Sequence, residues 1–539
     1  MGGGKWSAVA KEVKMVSYVA APMVAVTVSQ YLLQVVSVMM VGHLDQLSLS
    51  GLCIATSFTT VTGFSLLCGM AGALETLCGQ AYGAEQYEKL GIYTYTAIIS
   101  LLLVCIPISL LWLFTDKLLI LIGQDHSISH IAYKYSLCLI PVLFSFAILQ
   151  PLTRYFQTQS IILPMLFTSC ATLCFHIPLC WALVFKVNLG SVGAALAISF
   201  SYWLNVLLLG LYMKFSSACE KTRALFSKDV FFSMREFFRF AVPSAGMVCL
   251  EWWSFEGLIL LSGLLPNPKT ETSVLSICFT ITYLHYYVAY AFGATASTRV
   301  SNELGAGNPQ AAKVAVKAII LVSIAEMVTV SMILFFCRNV LGNAFSKEKE
   351  IVDHVADMGP WICLSIIMDS LQAVFSGVAR GSGLQHIGAY VNLGAYYLVG
   401  TPIGVVLGFV LHLGGKGLWI GLVTGSTVQA TLLALRTCFN NWQKQAIKAR
   451  ERILEGGVAR GSGLQHIGTY VNLGAHYLVG TPIGAVLAFV LHLGGKRLWN
   501  GLVTGSTVQR TLLALRTCFN NWQKQAIKAR ERILEGEDS

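Results

Sequence analysis

Two acidic residues lie inside long apolar stretches of the sequence, where a charged side chain is energetically unfavourable. Glu251 lies in AVPSAGMVCLEWWSFEGL and Asp369 lies in WICLSIIMDSLQAV. A charged side chain at the centre of a bilayer costs about 2.5–3.5 kcal/mol on insertion scales. Low-dielectric surroundings favour the neutral form of a carboxyl group, so such a group can take and release a proton, and when ionised it can pair with a cation. These residues predict proton exchange or cation binding inside a membrane.

Three further acids in apolar stretches are weaker candidates for the same chemistry. Glu256 follows Glu251 by five residues, which at about 100° per residue places the two side chains about 140° apart around a helix. They cannot both point squarely into one cavity, and Glu251, about two turns beyond Pro243, is expected to face the interior. Glu326 lies in SIAEMVT, and Glu75 ends an apolar stretch. The alternative for each acid is a structural carboxylate that is hydrogen-bonded inside a helix bundle.

Four tyrosines are spaced so that they share one face of a helix. Tyr283, Tyr286, Tyr287 and Tyr290 stand at positions i, i+3, i+4 and i+7. Aromatic faces stack on flat ligands and attract cations, so we expect these residues, together with Trp252, to line a ligand cavity. The alternative is packing between helices or a place in the aromatic belt at the membrane surface.

The composition indicates which elements hold these residues. The 539 residues are 55% hydrophobic and only 12% charged, with a mean hydropathy of +0.66, whereas soluble domains carry about 25% charged residues. Apolar runs of roughly 18–25 residues recur along the chain, the length at which a helix crosses a bilayer. The chain is therefore predicted to be an all-α polytopic membrane protein. Twelve spans are predicted, at 18–41, 47–74, 92–114, 129–149, 161–185, 192–213, 237–262, 273–296, 314–336, 351–376, 386–411 and 417–439.

Several other classes of protein are not supported by the residues. The net charge of +11 comes from basic residues spread over loops, so no nucleic-acid partner is expected. The histidines are dispersed and the fifteen cysteines show no metal-binding spacing. The stretch RGSG after Ala379 lacks the lysine of a phosphate-binding loop. We therefore expect no metal, no cofactor and no enzymatic activity.

The basic residues predict the orientation of the chain. One set of alternate loops holds most of the Lys and Arg, among them Lys14, Arg154, Lys214, Arg299 and Arg380. The positive-inside rule places these loops, and both termini, in the cytoplasm.

A faint internal repeat relates the first six spans to the next six. GAEQ at 83–86 corresponds to GAGN at 305–308, and Leu149-Gln150 corresponds to Leu371-Gln372, both at an offset of 222 residues. Because six is an even number of spans, both halves enter the membrane with the same orientation. This predicts two parallel six-helix lobes related by a pseudo-two-fold axis along the membrane normal, with a binding site near mid-membrane.

A second repeat is nearly verbatim. GVARGSGLQHIG at 377–388 occurs again at 457–468, and residues 457–536 repeat 377–456 with seven differences. The copy contains two spans, so it can be appended without moving the C-terminus across the membrane. We expect the additional helix pair to lie outside the C-terminal lobe. A mobile or weakly inserted pair is the alternative, and nearly identical sequences also create a risk of exchange with spans 11 and 12.

The predicted organisation has five parts. They are an N-terminal lobe at 1–213, a cytoplasmic inter-lobe loop at 214–236, a C-terminal lobe at 237–440, a basic cytoplasmic tail at 441–456, and the duplicate of spans 11 and 12 with its tail at 457–539.

Long segments of the chain resemble the plant branch of the multidrug and toxic compound extrusion (MATE) family. The resemblance covers about residues 14–445. The segments that carry it are GMAGALETLCGQAYGAEQYEKLG (69–91), PLTRYFQTQ (151–159), CLEWWSFEGLILLSGLLPNP (249–268), ASTRVSNELGAGNPQAA (296–312) and LQAVFSGVARGSGLQHIGAYVNLGAYYLVGTPIG (371–404). The resemblance implies the MATE fold. It also implies that Glu251 and Asp369 are the proton-coupling acids of the C-terminal lobe, because they match the family positions before the Trp-Trp pair and in span 10.

The resemblance also implies an activity and its partners. A MATE-like chain is expected to be a monomeric alternating-access antiporter that exports small organic molecules from the cytosol in exchange for protons. It is expected in the vacuolar or plasma membrane. Two alternatives remain. One is a lipid flippase of the same superfamily, which needs a larger groove for acyl chains. The other is an impaired product of a rearranged gene, which the verbatim copy suggests.

Overall fold

The structure, a computed structural model, describes residues 3–224, 227–265, 268–342 and 349–461. Twelve helices in this part of the chain are long and apolar enough to cross a membrane, which confirms the predicted all-α membrane fold. They are α1 (Val9–Gly42), α2 (Gln46–Gly83), α3 (Tyr87–Trp112), α4 (His126–Thr158), α5 (Ile162–Lys186), α6 (Gly190–Phe215), α7 (Met234–Ser262), α8 (Val274–Gly305), α9 (Pro309–Leu341), α10 (Lys349–Gly381), α11 (Gln385–Val410) and α12 (Gly414–Cys438).

Each half of the chain builds its own apolar core. The core of the N-terminal lobe is formed mainly by side chains of α1–α6, with Trp112, Tyr155 and Phe156 among its fully buried members. The core of the C-terminal lobe is centred on Phe279 and Trp419, whose ring centroids are 4.9 Å apart. Two cores of this kind give two six-helix lobes, as the six-plus-six repeat predicts.

The lobes meet along the inner helices, and their contacts concentrate toward one end of the bundle. This end, called the closed end below, is formed by the ends of α2, α4, α8 and α10 at Gly83, Thr158, Gly305 and Gly381. The segment Ala73–Gly83 of α2 packs against α8 and α10 of the other lobe, whereas Gln46–Thr59 of α2 packs mainly against α4 and α1 of its own lobe.

Reciprocal contacts at the closed end reveal the pseudo-two-fold axis. A Cβ atom on Gly83 would lie 1.9 Å from the carbonyl oxygen of Asn302, and a Cβ atom on Gly305 would lie 2.1 Å from that of Gln80. Residues 80 and 302, like residues 83 and 305, are related by the 222-residue offset of the repeat. Equivalent residues thus exchange places across the axis, as in an isologous interface. Only glycine allows the two backbones to approach this closely.

Four helices extend beyond their predicted ends at the closed end. Spans 2, 4, 8 and 10 were predicted to end at 74, 149, 296 and 376, but α2, α4, α8 and α10 end at 83, 158, 305 and 381. Arg154, Arg299 and Arg380, predicted to lie in loops, lie inside helices, and Arg154 and Arg380 are buried. The prediction was wrong because hydropathy reports only the apolar part of a helix, whereas these polar turns are held by contacts between the lobes.

The chain after α12 is described only in its first part. A helix labelled α13 runs over Trp442–Gly461, and its Trp442, Ala446 and Ala449 are buried against side chains of α8 and α9. A short helix, Asp229–Phe232, precedes α7. Most of the duplicate block, from residue 462 onward, lies outside the described residues, so the placement of its two spans stays a prediction.

Candidate functional site

The carboxyl group of Glu251 is buried inside the C-terminal lobe and is surrounded by hydrogen-bond donors. The residue lies on α7 and is 6% exposed. Gln372 of α10 donates to Oε1 at 2.8 Å, and the hydroxyl group of Tyr286 on α8 donates to the same oxygen at 3.4 Å. The amide nitrogen of Gln429 on α12 reaches Oε2 at 3.5 Å. One carboxyl group thus connects four helices, so a change in its charge affects all of them.

A path of hydrogen bonds joins Glu251 to Asp369. Asp369 lies on α10, is 8% exposed, and is hydrogen-bonded to Ser426 of α12. The Ser426 hydroxyl is 3.2 Å from that of Tyr396, and Tyr396 donates to Oε1 of Gln429 at 2.7 Å. We call Glu251, Gln429, Tyr396, Ser426 and Asp369 the carboxylate network. Because the Gln429 amide does not ionise, the network transmits changes in hydrogen bonding and does not conduct protons along its whole length.

An irregular stretch of α11 places Tyr396 in this network. Leu393–Gly400 is π-helical, a geometry that is rare and often found at functional sites. Asn392, just before it, donates to the carbonyl oxygen of Met247 at 2.7 Å and accepts from Gln429 at 2.8 Å. The π-helical stretch is therefore tied both to α7, which carries Glu251, and to α12.

Replacing Tyr396 with phenylalanine is expected to lower the thermal stability of the protein. The ring is 1% exposed, and loss of its hydroxyl group removes the hydrogen bonds to Gln429 and Ser426. An unsatisfied buried polar group costs about 1–3 kcal/mol. Thermal melting of the purified protein measures the effect. Tyr390→Phe is the matched control, because Tyr390 lies on the same helix and is 74% exposed. Equal melting temperatures for the two variants would remove Tyr396 from the network.

Glu256 lies outside the carboxylate network. Its side chain is partly buried and is hydrogen-bonded to Ser57 of α2, in the other lobe. The predicted angle of about 140° between the two acids of α7 accounts for this, because Glu251 then points into its own lobe and Glu256 points toward the neighbouring one. Its role in proton coupling stays a prediction.

The four tyrosines of α8 are partly buried and contact different partners. Tyr286 accepts a hydrogen bond from Trp252 at 3.1 Å. Tyr287 stacks on Tyr31 of α1, with ring centroids 4.4 Å apart. Tyr290 accepts a hydrogen bond from Arg154 of α4. Tyr283 packs against Phe255 and Phe279 in the C-terminal core. Tyr287 and Tyr290 thus bridge the lobes and Tyr286 reaches the carboxylate, whereas Tyr283 packs mainly within its own lobe.

One pair of ionisable residues was not predicted. His285 of α8 lies 3.1 Å from Glu326 of α9, measured from Nε2 to Oε1, and interacts electrostatically with Asp369. The sequence offered His285 only as one of several dispersed histidines. Residues that are 41 positions apart match no helix or strand periodicity, so this pair could not be identified from the sequence without the fold.

Polar residues in the carboxylate network, or bonded to it, were also missed. Gln372, Asn392, Ser426 and Gln429 are uncharged and gave no composition signal. A usable signal was nevertheless present: Asn392 and Tyr396 are spaced i, i+4, and Ser426 and Gln429 are spaced i, i+3, on otherwise apolar helices. Such spacing places each pair on one helix face.

Two parallel lobes with acids buried near mid-membrane have the architecture of a secondary transporter. The family model described as MatE matches residues 22–182 and 243–406. Protein DETOXIFICATION 14 of Arabidopsis thaliana is 58% identical over 444 residues, which are 82% of this chain and 92% of that protein. Protein DETOXIFICATION 1 of the same plant is 57% identical over 443 residues, which are 82% of this chain and 93% of that protein. The chain belongs to the MatE family of membrane transporters.

Solved structures support the same conclusion. The crystal structure of the eukaryotic MATE transporter AtDTX14 matches with a TM-score of 0.80 at 57% identity, over 83% of this chain and 100% of that chain. An outward-facing MATE family transporter matches with a TM-score of 0.71 at 15% identity, over 82% of this chain and 97% of that chain, which shows the common fold. The resemblance to a plant MATE protein is thereby confirmed, and the prediction against an enzyme agrees with these relatives. The protein is an integral multi-pass membrane protein.

Proposed function

We propose that this transporter is a proton-coupled antiporter that exports small organic molecules from the cytosol by alternating access. The observation that carries the proposal is the carboxylate network, in which two acids buried in one lobe are joined by hydrogen bonds. A proton is the simplest ligand for such a pair. The orientation follows from the positive-inside rule, with the closed end and both termini in the cytoplasm and the other end facing the apoplast or the vacuolar lumen.

The hydrogen bonds of Glu251 suggest how a proton acts. As a carboxylate it accepts from Gln372, Tyr286 and Gln429. When a proton arrives from the acidic side, one oxygen gains a hydrogen that it can donate, and the neutral carboxyl group accepts more weakly from its three donors than the carboxylate did. Neutralisation of Asp369 changes the bond to Ser426 in the same way. The helices then repack and the bound molecule leaves, and loss of the proton toward the cytosol restores the network. Coupling requires that the two conformations differ in their affinity for the proton.

The side chains around the acids favour a cationic or neutral aromatic substrate. Tyr286 donates to the Glu251 carboxylate and accepts a hydrogen bond from Trp252, and aromatic rings with a carboxylate attract organic cations. We propose a monomer in the vacuolar or plasma membrane as the working form.

Transport by liposomes that contain the full-length protein tests this function. We expect liposomes with an acidic lumen to accumulate a fluorescent aromatic cation, and a proton–potassium exchanger that collapses the pH gradient to abolish the accumulation. A matched experiment with a fluorescent phospholipid examines flippase activity. Accumulation that persists without the gradient would contradict proton coupling. Lipid movement alone would favour the flippase, and failure with cationic, neutral and anionic probes would favour an impaired product.

A further inference from the structure

A buried ion-pair cluster joins the two lobes at the closed end. The carboxylate of Glu75 on α2 is 1% exposed and lies between two guanidinium groups. Its Oε1 is 3.2 Å from Nε of Arg154 on α4, and its Oε2 is 2.8 Å from Nε of Arg380 on α10. Arg154 belongs to the same lobe as Glu75, but Arg380 belongs to the other lobe. We call these three residues the interlobe latch.

Polar contacts between the lobes surround the latch. The hydroxyl group of Thr76 donates to the carbonyl oxygen of Arg380, and Gln80 donates to that of Gly381 at 3.2 Å. From the other lobe, Asn302 donates to the carbonyl oxygen of Thr158 at 3.0 Å. These bonds satisfy carbonyl groups at the ends of α10 and α4, and they break when the lobes separate at this end.

The latch alone is not electrically balanced. It holds two arginines and one glutamate, which gives a net charge of +1, and a buried unpaired charge is costly. A fourth group supplies the missing charge. Gln372 donates to Glu251 at 2.8 Å and accepts from Ser376 at 3.0 Å, and Gln372, Ser376 and Arg380 are spaced i, i+4 and i+8 on one face of α10. Arg380 therefore lies on the helix face that Glu251 contacts, and the two groups interact electrostatically. With Glu251 ionised, the two carboxylates balance the two guanidinium groups. With Glu251 protonated, the latch keeps one uncompensated positive charge.

Other groups near this set do not remove the imbalance. Tyr286, Tyr396 and Asp369 face Glu251, and Tyr290 and Cys68 face the arginines. Tyrosine and cysteine side chains are uncharged at neutral pH. Asp369 is eleven residues before Arg380 on the same helix, about 16 Å along its axis, whereas Gln372, which is bonded to Glu251, is eight residues before it, about 12 Å. The charge balance at the closed end therefore depends on Glu75, Glu251 and the two arginines.

We propose that Arg380 couples the charge of Glu251 to closure of the closed end, so that protonation of Glu251 weakens the interlobe latch and permits the lobes to separate there. The inference rests on the proposed antiport and specifies how its return step is controlled. In an antiporter that is open to the acidic side, only the protonated, substrate-free protein should return to the cytoplasm-facing state. An interlobe latch that holds the closed end together while Glu251 is ionised, and weakens when Glu251 is neutral, prevents the unprotonated protein from returning. Because coupling between two sites acts equally in both directions, separation of the lobes at the closed end favours the protonated form of Glu251.

Hydrogen exchange of the full-length protein in lipid nanodiscs tests the coupling without any substrate. Exchange is followed by mass spectrometry at the closed ends of α4 and α8 and is corrected for the intrinsic effect of pH. We expect acidification of the wild type to increase exchange there by at least about fivefold, the lower end of the usual range of coupling between sites. Glu251→Gln should show the high rate already at neutral pH. Arg380→Gln should lose the response to pH, and Arg380→Lys, which keeps the charge, should retain it.

Arg299→Gln is the matched control. Arg299 of α8 also crosses the lobes, with its Nε 2.7 Å from Oε1 of Glu12 on α1, but it lies outside the latch. This variant should keep the response to pH. A normal response in Arg380→Gln, or loss of the response in both variants, would overturn the proposal. If Arg380→Gln is not recovered as folded protein, the Glu251→Gln variant still decides the question. Low hydrogen exchange in that variant at neutral pH would by itself overturn the proposal. Failure of proton-driven transport with these responses intact would instead refute the antiport.

Discussion

Replacing Glu251 with glutamine, or Asp369 with asparagine, is expected to reduce gradient-driven transport by at least about tenfold, which lies within the range of coupling free energies between sites. Each substitution keeps the shape of the side chain and removes its ability to ionise. Because Glu251 and Asp369 are both more than nine-tenths buried, neither position is compensated by solvent. The imposed pH gradient then acts on only one of the two acids that the carboxylate network joins.

The measurement is the initial rate of probe accumulation in liposomes with and without the gradient. The two variants should show a small rate that is the same under both conditions. Exposed acids near the opposite end of α10 provide controls for the chemical change, since Glu350→Gln and Asp353→Asn alter charge where the side chains are exposed. These controls should transport like the wild type. Full gradient-driven transport in either Glu251→Gln or Asp369→Asn would remove that residue from proton coupling.

The sequence predicted the twelve spans, the two lobes and the two acids for a common physical reason. A long apolar helix and a charge inside it both have large transfer free energies, so they stand out in one chain without knowledge of the contacts. The split between Glu251 and Glu256 followed from helix geometry, and the structure places them on opposite sides of α7. Local properties of this kind do not depend on which helices become neighbours.

The interlobe latch could not be predicted in this way. Glu75 meets Arg380 across 305 residues, and neither residue is unusual at the end of a hydrophobic span. A basic residue near a span end normally indicates a cytoplasmic loop, which is why Arg154 and Arg380 were assigned to loops. Their burial depends on a carboxylate from a different helix. Tyr396 and Gln429 also could not be identified from the sequence. Their contact depends on a π-helical stretch that the sequence of α11 does not predict.

A single methyl group at Gly83 is expected to disturb the transport cycle as strongly as loss of an acid. In Gly83→Ala the new Cβ atom would lie 1.9 Å from the carbonyl oxygen of Asn302 and 2.9 Å from its Cα atom. These atoms belong to the backbone of α8, so no side-chain rotation relieves the overlap. Helices α2 and α8 must move apart by roughly 1 Å, since packed interiors hold few voids that could absorb the group.

This movement separates the lobes and not the helices within one lobe. Alanine is also favoured over glycine in a helix by about 1 kcal/mol, so we expect the folded protein to persist with its closed end loosened. Hydrogen exchange at the closed end should rise at neutral pH, and transport should fall by about tenfold, a change of 1.4 kcal/mol. Gly305→Ala should behave similarly, because its Cβ atom would lie 2.1 Å from the carbonyl oxygen of Gln80.

Gly210→Ala provides the control for the glycine-to-alanine change itself. Gly210 lies in α6, and an added Cβ atom would meet nothing within 4 Å. Transport and hydrogen exchange at the closed end should equal those of the wild type. If Gly83→Ala matches this control, the closed end tolerates separation by a methyl group, and tight apposition of the lobes there is not required for transport. If Gly83→Ala loses transport and Gly210→Ala does not, transport requires the close contact between the lobes, because the two variants differ only in what the added methyl group touches.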